Sequence, residues 1–204
     1  MIGVLIVASY LVGSIPAAWL IARLVSGQDL RRMGSGNLGV MNTALSVSRW
    51  AGLLVFLAEA AKGVTAVALA RRLGGGEVVL GLAVLATVVG TRWSIWLRGA
   101  GGRGNTAGMS ALLIVSWLTL VSTLVVWLFL RLLTRRSFIA TRITFVVWPL
   151  IFGLVMHSWQ AIPLGALFSL LFVSTQRRET DDHLLIKRQW PSLTAFLTTP
   201  RRRK

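Results

Sequence analysis

Long apolar runs separated by short polar islands set the pattern of this chain. Residues 2 to 22, 51 to 70 and 77 to 96 each come close to the ~20 residues an α-helix needs to cross a hydrocarbon core. No basic residue precedes the first run and Arg23 follows it, the reverse of the charge order in a signal peptide, so it reads as an uncleaved helix with its N-terminus outside. Arg49 and the Arg71-Arg72 pair bracket the second run. Gly74-Gly75-Gly76 then makes a tight turn into the third, and this turn is expected to face outward.

The 25 apolar residues from Thr106 to Leu130 lie between a glycine-rich loop at 98–105 and an arginine-rich loop at 131–142. With both loops cytoplasmic, the segment must enter and return as a shallow helical hairpin or a pair of short tilted helices. The alternative is one long tilted span with the arginine-rich loop outside. Four arginines outweigh the two at Arg71-Arg72 in setting orientation, which favours the hairpin. Residues 143–157 and 160–175 form a last helix pair joined near His157-Ser158-Trp159, and Arg177 onward is a polar cytoplasmic tail ending Arg201-Arg202-Arg203-Lys204. The expectation is an all-α, polytopic integral membrane protein. It is one domain over residues 1–204, a helical bundle to residue 176 and a basic tail over 177–204, with about seven passes, N-terminus outside and C-terminus cytoplasmic.

Composition supports this reading and narrows the function. Hydrophobic residues make up 55% of the chain and charged ones 14%, with mean hydropathy +0.72, far from a soluble globular balance. A net charge of +16 raises nucleic acid as a partner, but the basic residues are dispersed into short loops, which fits the positive-inside rule and not a nucleic-acid-binding face. Without cysteine there is no disulfide, thiolate metal site or cysteine nucleophile, and two histidines with few carboxylates assemble no metal cluster. Trp50, Trp93, Trp96 and Trp159 fall near expected membrane interfaces.

The candidate chemistry lies in the polar islands. In Asp29-Leu30-Arg31-Arg32-Met33-Gly34-Ser35-Gly36-Asn37-Leu38-Gly39-Val40-Met41-Asn42, glycines permit positive φ and close approach, Ser35, Asn37 and Asn42 offer hydroxyl and amide groups, and Arg31 and Arg32 add charge. This is either a nest for a phosphate or a glycine-rich connection with helix caps. Gly99-Ala100-Gly101-Gly102-Arg103-Gly104-Asn105-Thr106 opens a helix without a Walker A pattern, and it too reads as a phosphate cradle or a flexible basic loop. Glu59 and Lys62 share a helix face inside an apolar run, as a functional pair or a mutually neutralising structural one. His183, beside Asp181 and Asp182, is either a proton acceptor or a solvated juxtamembrane histidine.

Taken in order, Gly13-Ser14-Ile15-Pro16, Asp29-Leu30-Arg31, Gly34-Ser35-Gly36-Asn37-Leu38-Gly39 with Asn42, and Lys62-Gly63 resemble the successive signatures of the acyl-phosphate-dependent glycerol-3-phosphate acyltransferases. These are small bacterial membrane enzymes with seven helices. The resemblance implies transfer of a fatty acyl group from acyl phosphate to glycerol 3-phosphate, giving lysophosphatidic acid, at a site facing the cytoplasm of the plasma membrane. It implies membrane lipid as a partner, no coenzyme A, no metal and no other cofactor. It assigns catalysis to Ser35, Asn42 and Arg103, and substrate or phosphate binding to Arg31, Gly34, Gly36, Asn37, Gly39, Lys62, Gly101, Gly102 and Gly104. The chain departs from the family pattern where Leu45 stands for an arginine, Gly90-Thr91 for Gly-His, Ala100 and Arg103 for two lysines, Phe138 for a serine, and Arg177-Arg178-Glu179-Thr180 for His-Arg-Glu-Asn. A non-catalytic paralogue that binds lipid or anion, and a small anion transporter, are the rival expectations.

Overall fold

The computed structural model describes residues 2–159 and 161–176. Among these residues the regular elements are all helices. In order run α1 (Ile2–Ser14), α2 (Ala17–Ser26), a 3-10 turn (Leu30–Arg32), α3 (Val40–Ser46), α4 (Arg49–Arg72), α5 (Glu77–Arg92), a second 3-10 turn (Ile95–Leu97), α6 (Asn105–Val115), α7 (Trp117–Thr134), α8 (Ser137–Met156) and α9 (Ala161–Thr175). Five stretches are long and apolar enough to cross a membrane: Ile2–Ser26, Arg49–Arg72, Glu77–Leu97, Trp117–Thr134 and Ser137–Met156, while Asn105–Val115 and Ala161–Ser174 are shorter apolar helices.

Small residues dominate the inside of α1 to α6 and large ones the outside, while Trp148, Phe152, Phe168 and Phe172 form an aromatic core between α8 and α9. Ala18, Ala22, Ala66, Ala70, Ala83, Ala107, Ala111 and Ala140 are buried, whereas Val4, Leu24, Trp50, Phe129, Leu132, Leu133 and Leu154 are exposed. This is how helices pack in lipid, where tails solvate the large side chains and tight backbone approach provides the attraction. Along the α1–α5 seam, a Cβ on Gly13 would lie 2.1 Å from the Thr87 carbonyl oxygen and one on Gly90 would lie 2.2 Å from that of Tyr10. The Thr87 hydroxyl donates across this seam to the Ser9 carbonyl at 3.1 Å. Gly63 brings α4 equally close to α6, against the Ala107 carbonyl. On the far side, Trp127 and Trp148 donate their indole N–H groups to Thr141 and Thr123, joining α7 to α8.

The first span differs from the expected 2–22. It continues to Ser26 and is broken at Ile15-Pro16, because proline has no N–H to continue the ladder and disfavours helical geometry in the residue before it. The third helix stops at Arg92, four residues short of the predicted end, and turns into a loop that folds back on it. The segment 106–130 is indeed two helices, but of unequal length: α6 has 11 residues and α7, after a break at Ser116, has 18, enough to cross. The predicted loop 131–142 is mostly helix. Arg131 lies in the last turn of α7, α8 begins at Ser137 and not at residue 143, and Arg142 lies exposed on α8 over the Phe138 ring, so only Arg135 and Arg136 occupy the turn. Its long stem lets a helical arginine lie along apolar surface, which residue counting could not anticipate. The tail, with His183 and the Arg177–Thr180 run, lies outside the described residues.

Contacts fix which ends share a side. Leu5 packs with Ala70, Ala83 and Val79, and the Arg71 side chain donates to the Ile114 carbonyl, so the start of α1, the 73–76 turn and the α6–α7 break lie together. The opposite ends carry the 27–48 and 93–104 loops.

Candidate active site

The first glycine loop is built around Asn42. Its side-chain oxygen accepts from the Ser35 backbone N–H at 3.1 Å and the Ser46 hydroxyl at 3.0 Å, and its amide nitrogen donates to the carbonyls of Met33 (3.0 Å) and Asn37 (2.9 Å). Those four bonds use the whole capacity of a primary amide. Gly34, at φ +56°, gives it room: a Cβ there would lie 2.2 Å from the Asn42 oxygen. Asn42 is therefore the staple of the loop, its side chain wholly engaged within it. Ser35, half-buried, accepts the Asn37 N–H at 3.3 Å, and Gly36, at φ +71°, completes the turn.

Arg31 is committed as well. Its guanidinium makes a forked ion pair with Asp29, Nη2 to Oδ2 at 2.6 Å and Nε to Oδ1 at 3.0 Å, while Asp29 also caps the 3-10 turn through the Arg31 N–H. These hydrogen bonds from Arg31 hold the Asp29 carboxyl well below the usual carboxylate range and raise Arg31 in turn.

The second loop folds back over the end of α5 and meets the first. Gly102 N–H donates to the Thr91 carbonyl at 3.0 Å, and a Cβ on Gly101 would lie 2.2 Å from that same oxygen. A Cβ on Gly102 would stand 2.3 Å from the Leu38 carbonyl oxygen, so the two glycine loops touch backbone to backbone. Gly104, at φ +76°, turns the chain into α6.

Beneath this junction lie Glu59 and Lys62, both buried. The crevice lined by Pro16, Leu38, Glu59, Lys62, Gly101 and Gly102 measures about 10 Å³, at the threshold for one water. Lys62 donates to Glu59 Oε1 at 2.7 Å and to the carbonyls of Ile15 (2.6 Å) and Gly13 (3.1 Å). An ammonium has three donors, and all three are occupied by protein acceptors.

Arg103 points elsewhere, toward a cavity of about 410 Å³ between α5 and the last four helices. Its walls are apolar (Leu80, Val84, Leu112, Phe145, Trp148, Phe168, Phe172), and Arg103, Asn105, Ser137 and Gln176 supply polar groups. Arg131 Nε reaches the Ser137 hydroxyl at 2.8 Å. Nothing in the linear pattern announced this cavity, because its lining residues come from five helices. The hydroxyls of Thr91 and Ser94, which tie α5 and its following loop to the end of α1, were missed for the same reason.

A family model described as glycerol-3-phosphate acyltransferase matches residues 3–185, nearly the whole chain. The chain belongs to that family.

Among curated members it is 38% identical to glycerol-3-phosphate acyltransferase 2 of Moorella thermoacetica, over 76% of this chain and 79% of that one. It is 35% identical to the glycerol-3-phosphate acyltransferase of Desulforudis audaxviator, over 85% and 87%. Two crystal structures of PlsY (YgiH), an integral membrane glycerol 3-phosphate acyltransferase, share the fold. The glycerol 3-phosphate form superposes with TM-score 0.75 at 27% identity, covering 92% of this chain and 93% of the other. The lysophosphatidic acid form gives TM-score 0.74 at 24% identity. This acyltransferase is thus an integral membrane protein of the PlsY type, acting in phospholipid synthesis.

Proposed function

We propose that the chain transfers a fatty acyl group from acyl phosphate to the first hydroxyl of glycerol 3-phosphate, at the cytoplasmic side of a bacterial plasma membrane. The observation that carries this reading is the apolar cavity with Arg103 on its wall, next in sequence to the glycine loop that meets the first. The cavity suits an acyl tail, and glycine loops with neighbouring arginines suit the phosphates of both substrates. The hydroxyl oxygen attacks the acyl carbon, a new C–O bond forms, the bond to the phosphate oxygen breaks, and the hydroxyl proton leaves with inorganic phosphate. Because acyl phosphate is already a mixed anhydride, positioning and charge stabilisation are enough, and neither a metal nor a strong base is called for.

On this reading Ser35, Asn37 and Arg103 contact substrate, Gly34, Gly36, Gly39, Gly101, Gly102 and Gly104 allow the close backbone approach that shapes the two cradles, with the N–H groups of Gly36, Gly39 and Gly102 spent on Met33, Asn37 and Thr91, and Asn42 and Arg31 hold the first loop. The seven-pass topology takes α1 and α2 as one interrupted span and counts α6 and α9 with the longer helices. Charge supports the orientation: Arg23, Arg31, Arg32, Arg49, Arg98, Arg135 and Arg136 share the loop side, against Arg71 and Arg72 opposite.

Purified protein given acyl phosphate and glycerol 3-phosphate should form lysophosphatidic acid, and Arg103→Ala should lower the rate about 100-fold, as loss of one charge-stabilising donor does. Equal background in both would leave the chain a non-catalytic member of its family.

A further inference from the structure

The break in the first span leaves backbone carbonyls at the end of α1 that no helical turn can satisfy. They lie deep: Ser14 closes a helix ~20 Å long, and Lys62 sits about as far along α4. At that depth an unpaired carbonyl is expensive, and those of Gly13, Ser14 and Ile15 each accept from a side chain. Gly13 O accepts from Lys62 Nζ at 3.1 Å and from the Thr91 hydroxyl at 3.2 Å, Ser14 O from Ser94, and Ile15 O from Lys62 Nζ at 2.6 Å.

We propose that Lys62, itself held by Glu59, is a positioning residue that locks the α1–α2 break and thereby the junction of the two glycine loops. Its kinetic consequence rests on the acyl-transfer reading above. A continuous line of contacts runs from Lys62 to Gly13 O, to the Thr91 hydroxyl, from the Thr91 carbonyl to Gly102 N–H, and from Gly102 to Leu38. Lys62 is not a substrate ligand, since its three donors are used and the crevice beside it holds about 10 Å³. Nor is it merely a counter-ion. A neutralising partner for Glu59 one turn away has no need to reach α1, yet the ammonium lies as close to the Ile15 carbonyl (2.6 Å) as to Glu59 (2.7 Å).

Two variants separate these roles. Lys62→Met removes the clamp but strands a buried carboxylate, so it risks misfolding, whereas the double variant Glu59→Gln with Lys62→Met removes the clamp and leaves no unpaired charge. The chain contains no cysteine, so spin labels placed by R32C and W96C, one in each loop at an exposed position, report the junction directly. In the double variant we expect the label-to-label distance distribution to broaden and KM for glycerol 3-phosphate to rise about tenfold or more, with kcat falling less. A narrow distribution with unchanged KM would make the pair simple charge neutralisation and overturn the proposal. A narrow distribution with raised KM would make Lys62 a direct ligand, and a broad one with unchanged KM would show that the junction does not govern the substrate; either overturns it too. If the parent protein transfers no acyl group, the functional reading fails, and the distance measurement still decides whether Lys62 locks the junction.

Discussion

Asn42 shows how a residue can be essential to a site without touching what the site binds. Replacing it by alanine removes its bonds to the Met33 and Asn37 carbonyls and to the Ser35 N–H, at about 0.5–1.5 kcal/mol each, and leaves those carbonyls only the N–H groups of Gly36 and Gly39. We expect Asn42→Ala to lower thermal stability in detergent measurably and to raise KM for glycerol 3-phosphate. Asn42→Asp should be no milder, since a carboxylate keeps the two acceptors but aims oxygen at two carbonyls. A wild-type melting profile for either variant would refute the staple. The Asp29–Arg31 pair gives a second, weaker test. A carboxyl depressed by folding contributes fully above its unfolded value near 4 and loses that contribution only as pH falls through its lower folded value. The mobility of a spin label at R32C should therefore stay constant from pH 7 to about 4, and a change near pH 5 would show the pair is not formed. The sequence displayed Asn42, Arg31 and Lys62 as polar groups among glycines and apolar residues. It did not show that Asn42 and Lys62 turn inward or that Arg31 folds back on Asp29, because the partners are fixed by the path of the chain and, for Lys62, lie 47 and 49 residues away.

Helix boundaries followed from apolar length where Gly74-Gly75-Gly76 marked them, and they failed where charge was read as loop. Arg142 on α8 is the example, and the break at Ile15-Pro16 is the converse, a polar feature concealed in an apolar run. Glycine positions within one helix separate local preference from packing. Nothing lies within 4 Å of a Cβ built on Gly3, whereas one on Gly13 would meet the Thr87 carbonyl at 2.1 Å. Gly3→Ala should leave stability unchanged or raise it by up to about 1 kcal/mol through helix propensity. Gly13→Ala must push α1 from α5 and should cost about 1–3 kcal/mol, with a loss of activity because the Thr87 and Thr91 bonds to α1 stretch together. Equal melting temperatures for the two variants would mean that the seam is not closely packed.

The arrangement as a whole is a membrane bundle with irregular backbone gathered at one end, in the 27–39 and 93–104 stretches. Lipid tolerates such backbone only where protein satisfies it, and here the backbone of the 93–104 loop is tied to α1, α5 and the first loop. Both substrates carry phosphate and are made in the cytoplasm on the proposed reading, so the loops must open to that side. Sidedness is thus the claim on which the chemistry depends, and the cysteine-free chain allows it to be read directly. Arg72 and Arg136 are both exposed, at opposite ends of the bundle. In intact cells or right-side-out vesicles, a membrane-impermeant maleimide should label R72C at once and R136C only after permeabilisation. The reverse pattern would put the glycine loops on the outer face, out of reach of their substrates, and would end the acyltransferase assignment for this site whatever the fold.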